Sequence, residues 1–529
     1  VQAVVDSGSD FRFLARRLSV LNGDCLVKYC SRYPGGLVKV ASQQSSVTWD
    51  CCVFKREMEM KRAYFGCWLV MVFCVQANAQ ENGQEAGQVA GSDAGRHTVA
   101  GSLQAAADVP LRHWPQWRGP DWNGVANKGN PPINWSSAEN LRWKVPLPGR
   151  GHGTPIIWGD RMILQAAIPL DQPLRVPDVI PPGTPNVTVN PEESTVSWKA
   201  QQLVLVCLDR LSGKQLWIRT VHQSMPHQGH HLKGTFAAQS SVTDGKHVYA
   251  YFGSYGLYCF DLEGTLVWKQ DAQPQAMEAG LGEGSSPALF ENTLVIAVDQ
   301  ESQSYVVALD KRTGKEIWRQ DRDEPSNWST PRIFTYEGRT QVVVHGITVR
   351  SYDLATGQLL WSYGGHTASA IPMPAIGHGM VFTVSGWRQD ALHAVRLGGA
   401  GDLTESESVV WSLNRGTPYV PCPTLWGQEL YLLEDRSFFS CYNAVDGKQH
   451  FRERLPGTAN FSASPVAVGD RIYLASEEGN TYVVRRGTEF EVLAINALDD
   501  SFHASPVIIG NAIYLRGKLH LYCFENQTQ

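Results

Sequence analysis

Residues 308–318 read ALDKRTGKEIW: a small residue, Leu309 and Asp310, a Thr313-Gly314 pair, and Trp318 four places beyond the glycine. The same order returns at Cys207, Asp209, Ser212-Gly213 and Trp217, and again at Asp353, Thr356-Gly357 and Trp361. Asp261, Gly264 and Trp268 give a shortened copy, Asn443, Gly447 and Phe451 a decayed one, and Trp411 ends a copy expanded by Gly398 to Ser408. Each residue type has a physical reason to recur. Glycine accepts the positive φ of a hairpin turn, Asp or Asn accepts turn amides, and Trp closes an outer strand with a large buried surface.

A second landmark alternates with the first. Ser or Thr and then Pro precede alternating apolar residues and a Gly-Asp-like turn, as in Thr154-Pro155-Ile156-Ile157-Trp158-Gly159-Asp160 and Ser464-Pro465-Val466-Ala467-Val468-Gly469-Asp470. Its anchors are Pro155, Ser241 in place of proline, Pro287, Pro331, Pro374, Pro423, Pro465 and Pro506. After a first interval of 86 residues, their spacings run from 41 to 49, the period of a propeller blade. The expectation is an all-β, eight-bladed propeller of four-stranded antiparallel blades over residues 113–529. The last unit, from Pro506 to Phe524, supplies only three strands. Leu141-Arg142-Trp143-Lys144-Val145 has the composition of the missing outer strand, so an N-terminal strand is expected to close the ring and remove its open edges.

The other segments read differently. Residues 58–79 carry a basic start at Lys61 and Arg62, an apolar stretch from Ala63 to Val75 and Ala77-Asn78-Ala79, the pattern of a Sec-type signal peptide. The apolar stretch is shorter than the roughly 20 residues that span a bilayer. Residues 1–57 are expected to be an overextended, disordered start and residues 80–112 a flexible leader. Residues 165–200, with seven prolines, form a Pro-rich insertion. Of the 11 cysteines only Cys207, Cys259, Cys422, Cys441 and Cys523 follow the signal, an odd number that argues against a complete disulfide framework. Four of these stand two places before Asp209, Asp261, Asn443 and Glu525, as small buried strand residues. A net charge of -5 without a long basic run leaves no footprint for nucleic acid.

The Asp-x-x-Thr-Gly-x-x-x-Trp copies resemble the PQQ-like repeat of quinoprotein alcohol dehydrogenases and of the outer-membrane-assembly β-propeller lipoproteins. The opening Trp117-Arg118-Gly119-Pro120 is similar to that of many exported bacterial PQQ-repeat proteins. The resemblance implies that Trp143, Trp217, Trp268, Trp318, Trp361 and Trp411 dock on neighbouring blades, with Gly213, Gly314 and Gly357 as structural repeat positions. In quinoprotein dehydrogenases it also implies a calcium site, a catalytic Asp and often a disulfide between adjacent cysteines. Here the only adjacent pair, Cys51-Cys52, precedes the signal segment.

Three candidate regions stand out. His222, His227, His230 and His231 cluster before the second blade and could bind a transition metal, or form a polar loop. Trp328, Ser329, Trp387 and Arg388 lie where loops meet the central channel; a Trp there could stack on a flat ring or sugar, or pack between blades. The insertion could make contacts or be a surface excursion. No catalytic residues are assigned, and no nucleophile elbow, phosphate loop or HExxH motif is present. The expected function is an exported, periplasmic or secreted monomeric scaffold, not membrane-spanning and without cofactor, holding an envelope protein or glycan. The alternative is a divergent oxidoreductase of alcohols or sugars with PQQ and Ca²⁺ in its funnel, and a third reading is a hydrolase or lyase joining titratable groups from different blades.

Overall fold

The computed structural model describes residues 112–171, 194–195 and 199–526, all within one compact unit, Ala94–Gln529. The signal segment, residues 1–57, all but the end of the leader and most of the insertion lie outside the described residues.

Eight four-stranded antiparallel blades follow one another in sequence order. Blade one contains Ile156–Trp158, Arg161–Pro169, Gln201–Asp209 and Gln215–Ser224, from inner to outer strand. The inner strands of blades two to eight begin at Val242, Ala288, Arg332, Ala375, Thr424, Val466 and Val507. All but the first of these starts lie one residue past a proline anchor, because the fixed φ of proline suits a strand entrance where no ladder donor is needed. The ring closes as the sequence suggests. Leu141–Pro146 pairs antiparallel with His520–Glu525 and becomes the outer strand of blade eight.

One irregularity recurs in every blade and explains the small residue of the repeat. The pairing of third and outer strands slips by one residue directly after Cys207, Cys259, Ala308, Ser351, Ala394, Cys441, Val483 and Cys523, a β-bulge in each. Just before the slip, the small residue faces the outer-strand aromatic: Cys207 faces Trp217, Cys259 faces Trp268, Ala308 faces Trp318 and Cys441 faces Phe451. A larger side chain there would compete with the indole for the same cross-strand space. All five described cysteines are free and buried.

The outer-strand indole then crosses to the next blade. Trp143, Trp217, Trp268, Trp318 and Trp411 donate their Nε1 protons to the carbonyls of Arg210, Leu262, Lys311, Leu354 and Ala444, at 2.8 to 3.1 Å. Each acceptor directly follows the repeat Asp or Asn. At Gly213, Gly314 and Gly357 the φ angles are 73°, 70° and 74°, and a Cβ would sit 2.6 to 2.9 Å from Trp143, Trp268 and Trp318. Glycine is thus required twice, for its backbone angle and for the ring on top of it. Trp361 differs. It donates to Gln341 of its own blade, and its seam is filled by Leu397 and Leu403. There the expanded copy adds Gly401–Asp402 as a parallel fifth strand on Trp361 and Ser362.

The segment that opens on the Trp-rich motif fills the centre of the ring. His113–Trp114 pairs with the inner strand of blade one, and Val125–Ala126 pairs in parallel with the inner strand of blade seven. Between them Pro115 accepts the Thr243 amide of blade two, Trp117 donates to Ser505 of blade eight, and Asp121 accepts from Arg332 of blade four. Trp114 and Trp122 are buried against opposite groups of blades.

Candidate binding face

Antiparallel blades have two unlike ends. The links into the inner strands and the loops between second and third strands share one face, here termed the entry face. The inner hairpins and the repeat turns share the other. The candidate residues named from sequence for binding fall on the entry face: His222 at the end of the outer strand of blade one, His227, His230 and His231 between blades one and two, Trp328 and Ser329 before blade four, and Trp387 and Arg388 in a loop of blade five.

Below that face a belt of side chains rings the channel. The Thr154 amide donates to Ser240 Oγ, that of Ser240 to Ser286 Oγ, and that of Ser286 to Thr330 Oγ1, at 2.8 to 3.0 Å. The amides of Met373, Cys422 and Ser464 likewise donate to Cys422 Sγ, Ser464 Oγ and Ser505 Oγ. At six of the eight anchors, Ser240, Ser286, Thr330, Cys422, Ser464 and Ser505, the residue before the anchor therefore uses its side chain to satisfy the amide of the preceding blade, a reason for Ser or Thr there. Arg118, 1% exposed, reaches this belt from the central segment. Its guanidinium donates to the carbonyls of Pro465 and Pro423 at 2.6 and 3.1 Å and to Thr424 Oγ1 at 2.8 Å. Burial without a carboxylate partner lowers its pKa to about 10.

The four histidines do not converge. His222 bonds Ser224, and His230 Nδ1 donates to the His231 carbonyl at 2.8 Å. His231 Nδ1 accepts the Lys233 amide at 3.1 Å. His227 donates from Nε2 to the Gln275 carbonyl at 3.0 Å and lies 3.8 Å from Glu283. Among the described residues no three His, Cys, Asp or Glu side chains are arranged to hold a metal ion. The histidine segment is instead a strap. His230–His231 pairs with Ser194–Thr195, the His231 amide bonds Leu281, and Lys233 reaches Glu477 of blade seven at 2.7 Å.

A narrow cleft between blades two, three and four, lined by Gln239, Tyr251, Gln275, Glu283, Asp299 and Asn327 among others, has room for about 10 Å³. That is below the ~300–1,000 Å³ of ordinary small-molecule pockets. Its carboxylates are already engaged. Glu283 accepts from the Ser254 amide and hydroxyl at 2.7 and 2.5 Å and from Gln228 at 3.2 Å, and burial raises its pKa. Asp299 is held by Arg322 through two bonds of 2.8 and 3.1 Å, and Asn327 adds a third. A calcium-held quinone, which the repeat resemblance implies for dehydrogenases, does not fit this set. The carboxylates are saturated by internal donors, and Trp114, Arg118 and Trp122 occupy the channel axis.

Trp328 is an inter-blade contact: Nε1 donates to Gly282 at 2.6 Å and the ring covers Gly284. Ser329 is buried and donates to the Pro372 carbonyl. Trp387 and Arg388 are placed otherwise. Trp387 is half-buried and stacks on Tyr419 of the link into blade six, ring centroids 5.2 Å apart at 28°, while Arg388 is exposed beside it. Beneath them Asp435 accepts the Tyr419 and Val420 amides, and burial pushes its carboxyl up to about 6. Sequence reasoning passed over Tyr419, Asp435, Glu283 and a buried trio, His345, His366 and His393. These positions share no local motif, and only packing unites them.

Comparisons with known proteins agree with this architecture. Residues 200–389 match the family described as "Outer membrane protein assembly factor BamB". No curated protein matches the chain. Among solved structures, the quinohemoprotein alcohol dehydrogenase of Comamonas testosteroni is similar at 10% identity and TM-score 0.51, over 80% of this chain and 82% of that one. BamB from Moraxella catarrhalis is similar at 12% identity and TM-score 0.43, over 69% of this chain and 98% of that one. The designed protein Ika8 gives 11% identity and TM-score 0.46, over 65% and 100%. At 10% identity the likeness to the dehydrogenase is one of fold.

Proposed function

Because this chain is a β-propeller of PQQ-like repeats, a scaffold that confers no chemistry by itself, we propose that it is a binding scaffold of the cell envelope. It holds a protein partner on the entry face. The observation that carries this reading is the filled channel: the propeller's own Trp114, Arg118 and Trp122 take the axis, and the nearby carboxylates are spent on internal donors. What remains for recognition is the rim. There the Trp387–Tyr419 stack, with exposed Arg388 beside it, offers the aromatic and guanidinium groups that anchor interfaces. The match to a family described as an assembly factor supports a protein partner. No described helix is long and apolar enough to cross a membrane. The same stack favours a sugar ring as the second reading, since a flat aromatic face suits either ligand.

Site-specific photocrosslinking in cells tests the proposal. A crosslinker at Trp387 or Arg388 is expected to give one discrete protein adduct, and one at Val445, exposed in a repeat turn of the other face, none. Equal adducts from both faces, or turnover of alcohols by purified protein given PQQ and Ca²⁺, would overturn it.

A further inference from the structure

Three imidazoles lie against one another at the seam of blades four and five. His345 begins a loop of blade four, His366 sits on the link to blade five, and His393 is in the third strand of blade five. Ring centroids are 4.7 Å apart for His345–His366 and for His366–His393, and Tyr363 packs edge-on against the second pair. His345 Nδ1 donates to the Pro372 carbonyl at 3.1 Å, which leaves its Nε2 bare; neither that atom nor His393 Nδ1 has a hydrogen-bond partner. His366 rests between the hydroxyls of Ser385 and Thr383, at 3.1 and 2.8 Å.

Among the described residues no free carboxylate faces this trio. Glu324, on the blade-three side, is taken by Arg350 and the amides of Ile347 and Thr348, and Asp299 by Arg322, whose positive charge opposes protonation of His345. On the blade-five side Asp402 bonds Thr404, which in turn holds the Gly364 amide. Tyr363 is the remaining titratable neighbour, and burial raises its pKa. Burial lowers the pKa of all three histidines, that of His345 to about 4.

The imidazoles fasten the link 364–373. His366 belongs to it, and His345 holds its Pro372 carbonyl. The same link is tied to the far side of the entry-face cleft through Asn327: the Ala370 amide donates to Asn327 at 2.9 Å, the Ala370 carbonyl accepts the Trp328 amide at 2.8 Å, and Ser369 donates to Glu278 at 3.1 Å. Ser369 is held at φ 64°, a left-handed angle costly for a residue with a Cβ. We propose that His345, His366 and His393 form an acid-released latch, which holds the link 364–373 against blades three and four while neutral and frees it when protonated. The consequence for a partner rests on the binding reading above; the latch itself does not.

Hydrogen exchange of the full chain at a series of pH values, corrected for intrinsic rates, reads the latch with no partner present. Failure of the latch and failure of the binding reading therefore register separately. One imidazole that moves from a folded pKa near 4 to about 6.5 when released favours the open link by about 30-fold at pH 5 over pH 7.5. Exchange across 364–373 is expected to rise by at least that factor, ahead of the blade strands such as His247–Tyr251. In a His345→Gln/His366→Asn/His393→Asn variant the rise is expected to vanish. Flat protection, a rise matched by every blade strand, or an unchanged rise in the variant would each overturn the proposal. If the variant does not fold, the wild-type comparison of link and strands decides it.

Discussion

At Gly357 two demands meet in one residue: φ is 74°, and a Cβ would stand 2.6 Å from the Trp318 ring. Gly469 shares the positive angle, 59°, but has nothing within 4 Å of its Cβ position. The pair separates backbone strain from docking. Gly469→Ala is expected to cost about 1 kcal/mol from the left-handed angle alone, and Gly357→Ala about 2 to 4 kcal/mol as the indole is displaced. Urea unfolding of the two variants measures the difference, and equal costs would mean that the indole gives way freely. The repeat carboxylates act locally as well. Ser212 donates a side-chain bond to Asp209, and Arg312 one to Asp310, which lowers the latter's pKa to about 2. These roles were readable from sequence because each spans fewer than a dozen residues. The small residue before Asp was readable only as buried; its pairing with Trp across the bulge became visible in the strand register.

Among the elements, the segment 113–126 has the largest part that spacing did not reveal. Its tryptophans drew attention as a motif, yet nothing in the motif says that it lies inside the ring. Arg118 is the fastener, because its donors end on carbonyls of blades six and seven that no water reaches. Arg118→Ala is expected to lower stability by roughly 3 kcal/mol through unpaired carbonyls and a cavity, seen as a lower urea midpoint with an unchanged slope. An unaffected midpoint would show that the central segment is not needed to hold the ring. The closing strand Leu141–Pro146 was legible, since a missing outer strand at one end and a matching strand at the other leave one solution. The histidine segment was legible as an entry-face element, but its four rings point to separate local partners. Ligand convergence depends on side-chain direction, which residue spacing in a loop does not fix.

Across the whole molecule, burial dominates the behaviour of histidine. His113, His152, His222, His230, His345, His366, His393 and His503 all have lowered pKa values, with burial the largest cause in each. A depressed histidine leaves its full stability in place above the unfolded value, near 6.5, and that stability drains as pH falls toward the folded value, about 4 for His345. Asp435, raised to about 6, and Glu283 act in the opposite sense, but they are fewer. For His345 the loss is roughly 1.4 kcal/mol per pH unit between about 6 and 4, and His152 and His366 act in the same direction. The melting midpoint is expected to fall by at least about 2 °C between pH 7.5 and pH 5; an unchanged midpoint would refute this account. The sequence by itself determined the number of blades, their order, the strand that closes them and the glycines and indoles that dock them. Each of these follows from a short pattern repeated under the same local sterics. Only the tertiary structure decided what fills the channel, which carboxylates are spent and which histidines meet, because those facts depend on side chains brought together from distant blades.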